Sequence, residues 1–459
     1  MKAILPDFRD NSPEPLYIQL YSYIRDAILS KEIVSGEKLP SLRNLSESLS
    51  LSLTTVETAY NQLAVEGYIY SRPKSGFYVR TMSYPGATWE PSGPPPADHA
   101  FVHREQNYLF DLSCFDFNKW KKCVNRILTD HPECLLFEGD PQGEPALRYE
   151  ISKYVFQSRG VRCKPDQVVI AAGTQQITAH LSRILKEMAI GHVALEEPGY
   201  LPVRNIFHDS GFAITPVDVK KDGITIEKLP GNISSAVYVN PSNQFPTGAI
   251  MPVARRYQLL TWAERNNSFI VEDDYDSELR YFGNPIPALQ GLDSRQRVIY
   301  LGSFSSTLFS AIKISFMVLP EEMLPIFNAI KDDYAQTCSK TEQLTLALFM
   351  EKGYYQTGLK KLRRLYAQKW AAVVGILSSN PYVTTTGSPS GINMIISVHT
   401  KKTADVLCRE AISLGIFATP ALTNAPREEE VALVLYYNKI PLSDIRNVLL
   451  ELLAVWGRA

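Results

Sequence analysis

Apolar residues fall into two regimes along this chain. In residues 1–81 they recur at helical spacing over short stretches. Leu20, Ile24, Ala27 and Ile28 predict a helix of about four turns over Leu16–Leu29. Gly36 and Pro40 break the pattern, and Leu42, Leu45 and Leu49 predict a short second helix. A third opens at Ser52, a good N-cap, and carries Val56, Ala59, Tyr60 and Leu63 on one face. Leu51 before the cap and Val56 inside it can close a hydrophobic staple. Gly67 stops this helix. Two short aromatic-rich strands follow, 68–72 and 77–80, joined by Pro73-Lys74-Ser75-Gly76. Beyond residue 108 the period changes. Apolar runs at 168–171, 192–195, 236–239, 269–272 and 298–300 alternate with amphipathic helical stretches. That alternation predicts an α/β unit with a mostly parallel sheet and helices on both faces. Between the regimes, 82–108 carries Pro85, Pro91, Pro94, Pro95 and Pro96 among Gly, Ser and Ala and reads as a stiffened linker. The expected domains are therefore 1–81, the linker 82–108, and 109–459.

Composition narrows the class. Hydrophobic residues make up 45% and charged residues 21% of 459, the profile of a globular protein. Net charge is −1, so DNA binding has to come from a local patch. The six cysteines form no C-x-x-C pair, which argues against zinc and redox chemistry. No metal site is expected. No apolar run reaches the ~18 residues of a membrane span, and no signal-peptide core opens the chain. A cytoplasmic location without membrane contact is the expectation.

Three helices, a short turn between the second and third, and a two-stranded hairpin describe a winged helix-turn-helix. Ser52, Thr54 and Thr55 fall on the first turn of the third helix. There, hydroxyls and N–H groups can face a major groove. Lys38, Ser41 and Arg43 lie at the start of the second helix, beside the DNA backbone. Arg72, Lys74 and Gly76 put the hairpin near a minor groove. A helical oligomerisation module competes with this reading, because nine Lys and Arg balance nine Asp and Glu in 1–81. The segments Lys38-Leu-Pro-Ser-Leu-Arg-Asn-Leu, Leu51-Ser-Leu-Thr-Thr-Val-Glu-Thr-Ala-Tyr-Asn-Gln-Leu and Glu66-Gly-Tyr strongly resemble the GntR family. Leu53 departs from it, standing where those proteins often carry arginine. The resemblance implies double-stranded operator DNA as a partner.

The larger region carries Asp140-Pro-Gln-Gly-Glu-Pro, Ala172-Gly-Thr-Gln, Glu197-Pro-Gly-Tyr and Glu272-Asp-Asp-Tyr-Asp in that order. Together they resemble fold-type-I aminotransferases, enzymes that hold pyridoxal 5'-phosphate (PLP) on a lysine, and the first matches their N-terminal substrate loop. Gly173, Thr174 and Gln175 open a helix after a strand, and a helix N-terminus favours a phosphate. The resemblance places Tyr200 against the cofactor ring and Asn243 in the loop near its O3'. It sets Asp273 at the ring nitrogen, with Tyr275 as the accompanying phenol. Ser303, Ser305 and Lys313 fall at the phosphate. The implied fold is a PLP-transferase of type I with a smaller C-terminal subdomain.

The departures bear on chemistry. Ser306 occupies the Schiff-base lysine position, and a hydroxyl forms no imine. Phe245 precedes Pro-Thr-Gly where the enzymes carry an asparagine. Lys439 stands where the substrate-carboxylate arginine is expected. The whole chain resembles the MocR/GabR regulators. That resemblance implies a transcription regulator acting as a domain-swapped homodimer and responding to PLP or an amino compound. Three readings stay open: a regulator that binds PLP non-covalently and does not transaminate, an active aminotransferase with a DNA-binding appendage, and a cofactor-free dimerisation scaffold.

Overall fold

In the computed structural model the described residues are 14–81, 109, 111–281, 286–386, 391–421 and 429–457. The predicted linker 82–108 lies outside them. The chain divides into two compact units, Met1–Val102 and His103–Ala459.

The first unit holds α1 (Leu16–Leu29), α2 (Leu42–Leu49), α3 (Leu53–Val65), β1 (Ile69–Arg72) and β2 (Gly76–Val79). Its core joins Leu20 and Ile24 of α1, Leu45 of α2, Val56, Tyr60 and Leu63 of α3, and Ile69 and Val79 of the hairpin. Each such burial contributes ~1.5–3 kcal/mol, so the periodic positions hold the three helices together. Ser41 and Ser52 accept from the backbone N–H of Asn44 and Thr55, at 3.2 and 3.1 Å, and cap α2 and α3. Ser50, in the left-handed region at φ 54°, ends α2 and makes the turn into α3 tight. The backbone at Gly36, Glu37 and Leu39 bonds to Val79 and Phe77 and widens the hairpin by a third extended segment.

The second unit is built on an eight-stranded sheet. Its strands are β3 (Val168–Ala172), β4 (His192–Glu197), β5 (Ala213–Lys220), β6 (Gly223–Ile224), β7 (Ala236–Val239), β8 (Phe269–Asp274), β9 (Val298–Ser303) and β10 (Ile314–Val318). The order is β3-β10-β9-β8-β7-β4-β5-β6, with β10 and β6 antiparallel to their neighbours and the remaining pairs parallel. Residues of β7, β8 and β10 are buried on both faces, as expected for a sheet covered twice. Among its helices, α4 (Phe117–Asp130) and α5 (Pro145–Arg159) precede β3, and α6 (Gly173–Glu187) follows it directly. A smaller antiparallel sheet, ordered β11-β12-β14-β13, comprises β11 (Val383–Thr386), β12 (Met394–His399), β13 (Ala418–Pro420) and β14 (Glu430–Leu435). Helices Ala404–Ser413 and Ile445–Trp456 cover it.

Candidate functional sites

The residues expected to face DNA lie at the start of α2, on the first turn of α3 and in the hairpin. Arg43 is exposed and makes no ion pair among the described residues. The hydroxyls at the start of α3 also bond to one another. Ser52 Oγ lies 2.8 Å from Thr54 Oγ1 and 2.7 Å from Thr55 Oγ1 while it caps the helix. These groups first stiffen the turn they sit on. On the hairpin, the Arg72 guanidinium stacks over Tyr70 at 5.3 Å and Tyr78 at 4.7 Å, and Nη2 donates to the Tyr70 phenol at 2.8 Å. Lys74 turns the hairpin with φ 61°. A Cβ on Gly76 would stand 3.5 Å from the Lys38 side chain, so Lys38 lies along the hairpin.

In the second unit the strand ends converge on a cavity of about 300 Å³. β3 delivers the start of α6 and Thr174, and β4 runs on to Tyr200. Asn240 follows β7, Asp273 lies near the end of β8 with Tyr275 just beyond it, and Ser303 ends β9 with Ser305 and Ser306 just beyond it. Such a crevice beyond the strand termini is where open α/β sheets take ligands. Ser310 and Lys313 close one side. Ile392, Asn393 and Tyr436 close another from the smaller subdomain. Gly391 sets that last wall. Its φ is +80°, and an added Cβ would lie 2.6 Å from Asp276 Oδ2. Its carbonyl accepts from the phenols of Tyr281 and Tyr437.

Several of the lining groups can bind an anion. α6, which begins beside the cavity at Thr174, has no side-chain cap, so no capping side chain satisfies its first N–H groups. The hydroxyls of Thr174, Ser305 and Ser310 and the ammonium of Lys313 have no partner among the described residues. Asp273 is the carboxylate of the lining. The Tyr238 phenol donates to its Oδ2 at 2.6 Å, and the Asn240 side chain, which donates to the Asp273 backbone carbonyl at 2.9 Å, lies beside it. Burial pushes its carboxyl up to about 6, against the pull of the Tyr238 bond. Behind it, burial pushes Glu196 up to about 8. Glu196 Oε2 accepts from the Asn240 backbone and Gln244 Nε2 at 3.1 and 3.3 Å. Asp274 turns away from the cavity and is held by Arg159 Nε and the Tyr300 phenol, both at 2.7 Å.

Comparison with known proteins joins the two units. Residues 16–79 match the family of bacterial regulatory proteins of the gntR type, and 105–430 match aminotransferase class I and II. The chain is 38% identical over 451 residues to the uncharacterized HTH-type transcriptional regulator YdeL of Bacillus subtilis, covering 96% of this chain and 97% of that one. It is 33% identical to the probable rhizopine catabolism regulatory protein MocR of Rhizobium meliloti, with 88% and 86% covered. It belongs to the MocR-type HTH transcriptional regulators. A third relative, the pyridoxine biosynthesis transcriptional regulator PdxR of Corynebacterium glutamicum, is 30% identical with 83% of each chain covered. The fold of the large unit is that of aminotransferases. Kynurenine aminotransferase of Pyrococcus horikoshii superposes with a TM-score of 0.64 at 22% identity, covering 76% of this chain and 90% of that one.

In this regulator Thr174, Tyr200, Asp273, Tyr275, Ser303, Ser305 and Lys313 all line the cavity, as does Ser306. The Gln175 side chain is exposed, so what it can offer an anion is its backbone N–H at the start of α6. Two expectations are corrected. Asn243 Nδ2 donates to Asp276 Oδ2 at 2.8 Å and to the Tyr275 phenol at 3.3 Å, so it positions Tyr275 instead of lining the cavity. Lys439 does not line the cavity either; its ammonium lies 5.3 Å over the Phe417 ring, and Tyr436 is the residue that faces inward from this segment. Gly173 stands beside the cavity at φ +82°, 3.9 Å from the Lys313 side chain measured from an added Cβ. Asn240, Ser310, Ile392, Asn393 and Tyr436 were not anticipated. Asn240 was legible as the first residue after a buried strand; Ile392 and Asn393 carried no such signal.

Proposed function

We propose that this chain is an operator-binding, homodimeric regulator whose large unit holds PLP without a covalent bond and does not transaminate. Residues 1–81 read DNA, 82–108 tether, and 109–459 bind ligand and dimerise. The observation that carries the ligand reading is the set of unpartnered donors that line one cavity together with Ser306. Thr174, Ser303, Ser305, Ser310 and Lys313 would hold the phosphate with the N-terminus of α6. Tyr200, edge-on to Phe245 at 6.3 Å, would flank the ring, and Asp273 would meet its nitrogen. Bound PLP supplies an electron-accepting ring. The chain provides no amine at Ser306 to anchor it, so these residues bind and orient only. Exposed Leu112, Phe117, Leu136 and Phe137, within 26 residues of one another, support a dimer, since a monomer leaves them in water.

Absorbance of the protein with PLP, before and after dialysis, tests this reading. A bound form that dialyses away, is not fixed by borohydride and converts no amino donor supports it. A retained, reducible adduct or turnover would overturn it in favour of an aminotransferase. No binding at all would favour the cofactor-free scaffold.

A further inference from the structure

Ser306 changes the hydrogen-bonding character of the cavity wall as well as removing an amine. Its Oγ donates to the backbone carbonyl of Tyr275 over 2.5 Å. A hydroxyl has one proton, and here that proton points away from the ligand space. What Ser306 offers the cavity is therefore lone pairs. Among the described residues lining the cavity, Lys313 is the only cation, and it stands with the anion-binding hydroxyls. At Ser306 itself the cavity therefore meets an acceptor, whereas the Tyr275 phenol, which accepts from Asn243 Nδ2, keeps its own proton for another acceptor.

We propose that the cavity selects the 4-aminomethyl form of the phosphorylated pyridine, pyridoxamine 5'-phosphate, over the 4-aldehyde form, PLP. This rests on the reading that a phosphorylated pyridine occupies the cavity at all. The aminomethyl ammonium brings donors and a positive charge to the Ser306 lone pairs. The aldehyde oxygen brings only lone pairs. It either faces Ser306 Oγ without a proton between them or draws the Ser306 proton and strips Tyr275 of its bond. An unmade bond to a buried polar group is the costlier side of such a comparison. With a lysine at 306 the preference would reverse, because the aldehyde would condense with it.

The test is a competition titration on the full chain, which needs no variant. Pyridoxamine 5'-phosphate is bound first, followed through protein fluorescence, and then displaced with PLP, pyridoxine 5'-phosphate or inorganic phosphate. Displacement excludes signal from PLP reacting with surface lysines. The aminomethyl form should bind about tenfold more tightly than the aldehyde, the size of one hydrogen bond. The hydroxymethyl form, both donor and acceptor, should fall between them. Ser306→Ala should bring the aminomethyl-to-aldehyde ratio close to one. PLP binding as tightly as the aminomethyl form, or an unchanged ratio in Ser306→Ala, would overturn the selectivity while leaving the cavity reading intact. Failure of all the pyridine phosphates to bind would overturn both.

Discussion

The Tyr238 phenol, on β7, donates to Asp273 Oδ2, on β8, over 2.6 Å. This bond stabilises the carboxylate against the burial that drives Asp273 up to about 6. The raised value means Asp273 is anionic above about 6 and neutral below it, so a ring nitrogen paired with the anion should lose affinity as pH falls through that value. Tyr238→Phe removes the opposing bond and should move the midpoint upward. A bond to a charged group is worth ~1.5–3 kcal/mol, which corresponds to about 1–2 pH units. The ligand phosphate titrates near ~6 in both proteins and cancels in the comparison. Affinity for a pyridine phosphate against pH, wild type beside Tyr238→Phe, measures the shift. Superimposable profiles would remove Asp273 from the ligand.

Arg159 anchors the buried acidic segment behind the cavity. It is 4% exposed, and its guanidinium bonds Asp274 at 2.7 Å, Ser242 at 2.6 Å and the Ile286 carbonyl. Arg159→Leu leaves Asp274 buried without its counter-charge. The large unit should lose ~3–5 kcal/mol, read as a lower midpoint in urea. A loss below ~1 kcal/mol would show that solvent reaches Asp274.

Arg43 and Arg72 should each contribute a phosphate contact. Replacing either with alanine should weaken binding to all DNA sequences and flatten the log affinity against log salt plot by about 0.9 per lost contact. Fluorescence anisotropy across a salt series reads both quantities. A loss of sequence preference at constant slope would instead mark that arginine as a base reader.

Ser306→Lys restores an amine at a position that lines the cavity. The variant should turn yellow with PLP and keep it through dialysis after borohydride treatment. A variant that binds PLP but stays unreduced would show that the amine at 306 does not reach the ring.

Much of both sites was legible because each element announces its own end. Ser52 caps α3 in the sequence and in the structure, since a cap is a contact three residues long. Asp273 and Ser303 follow apolar runs, and they stand at the C-terminal ends of β8 and β9 while still paired in the sheet. What the residues determined, then, was the identity of the elements and the polar groups at their ends. Tertiary structure decided which of those groups share a space. Gln175 and Thr174 are neighbours in sequence, but a helix separates adjacent side chains by about 100°, so only Thr174 faces the cavity. Lys439 and Tyr436 lie on one segment, and the path of the chain after β14 sent the tyrosine inward and the lysine onto Phe417. Ile392 and Asn393 reach the cavity because Gly391 packs against Asp276, a contact between positions far apart in the chain that no local pattern encodes.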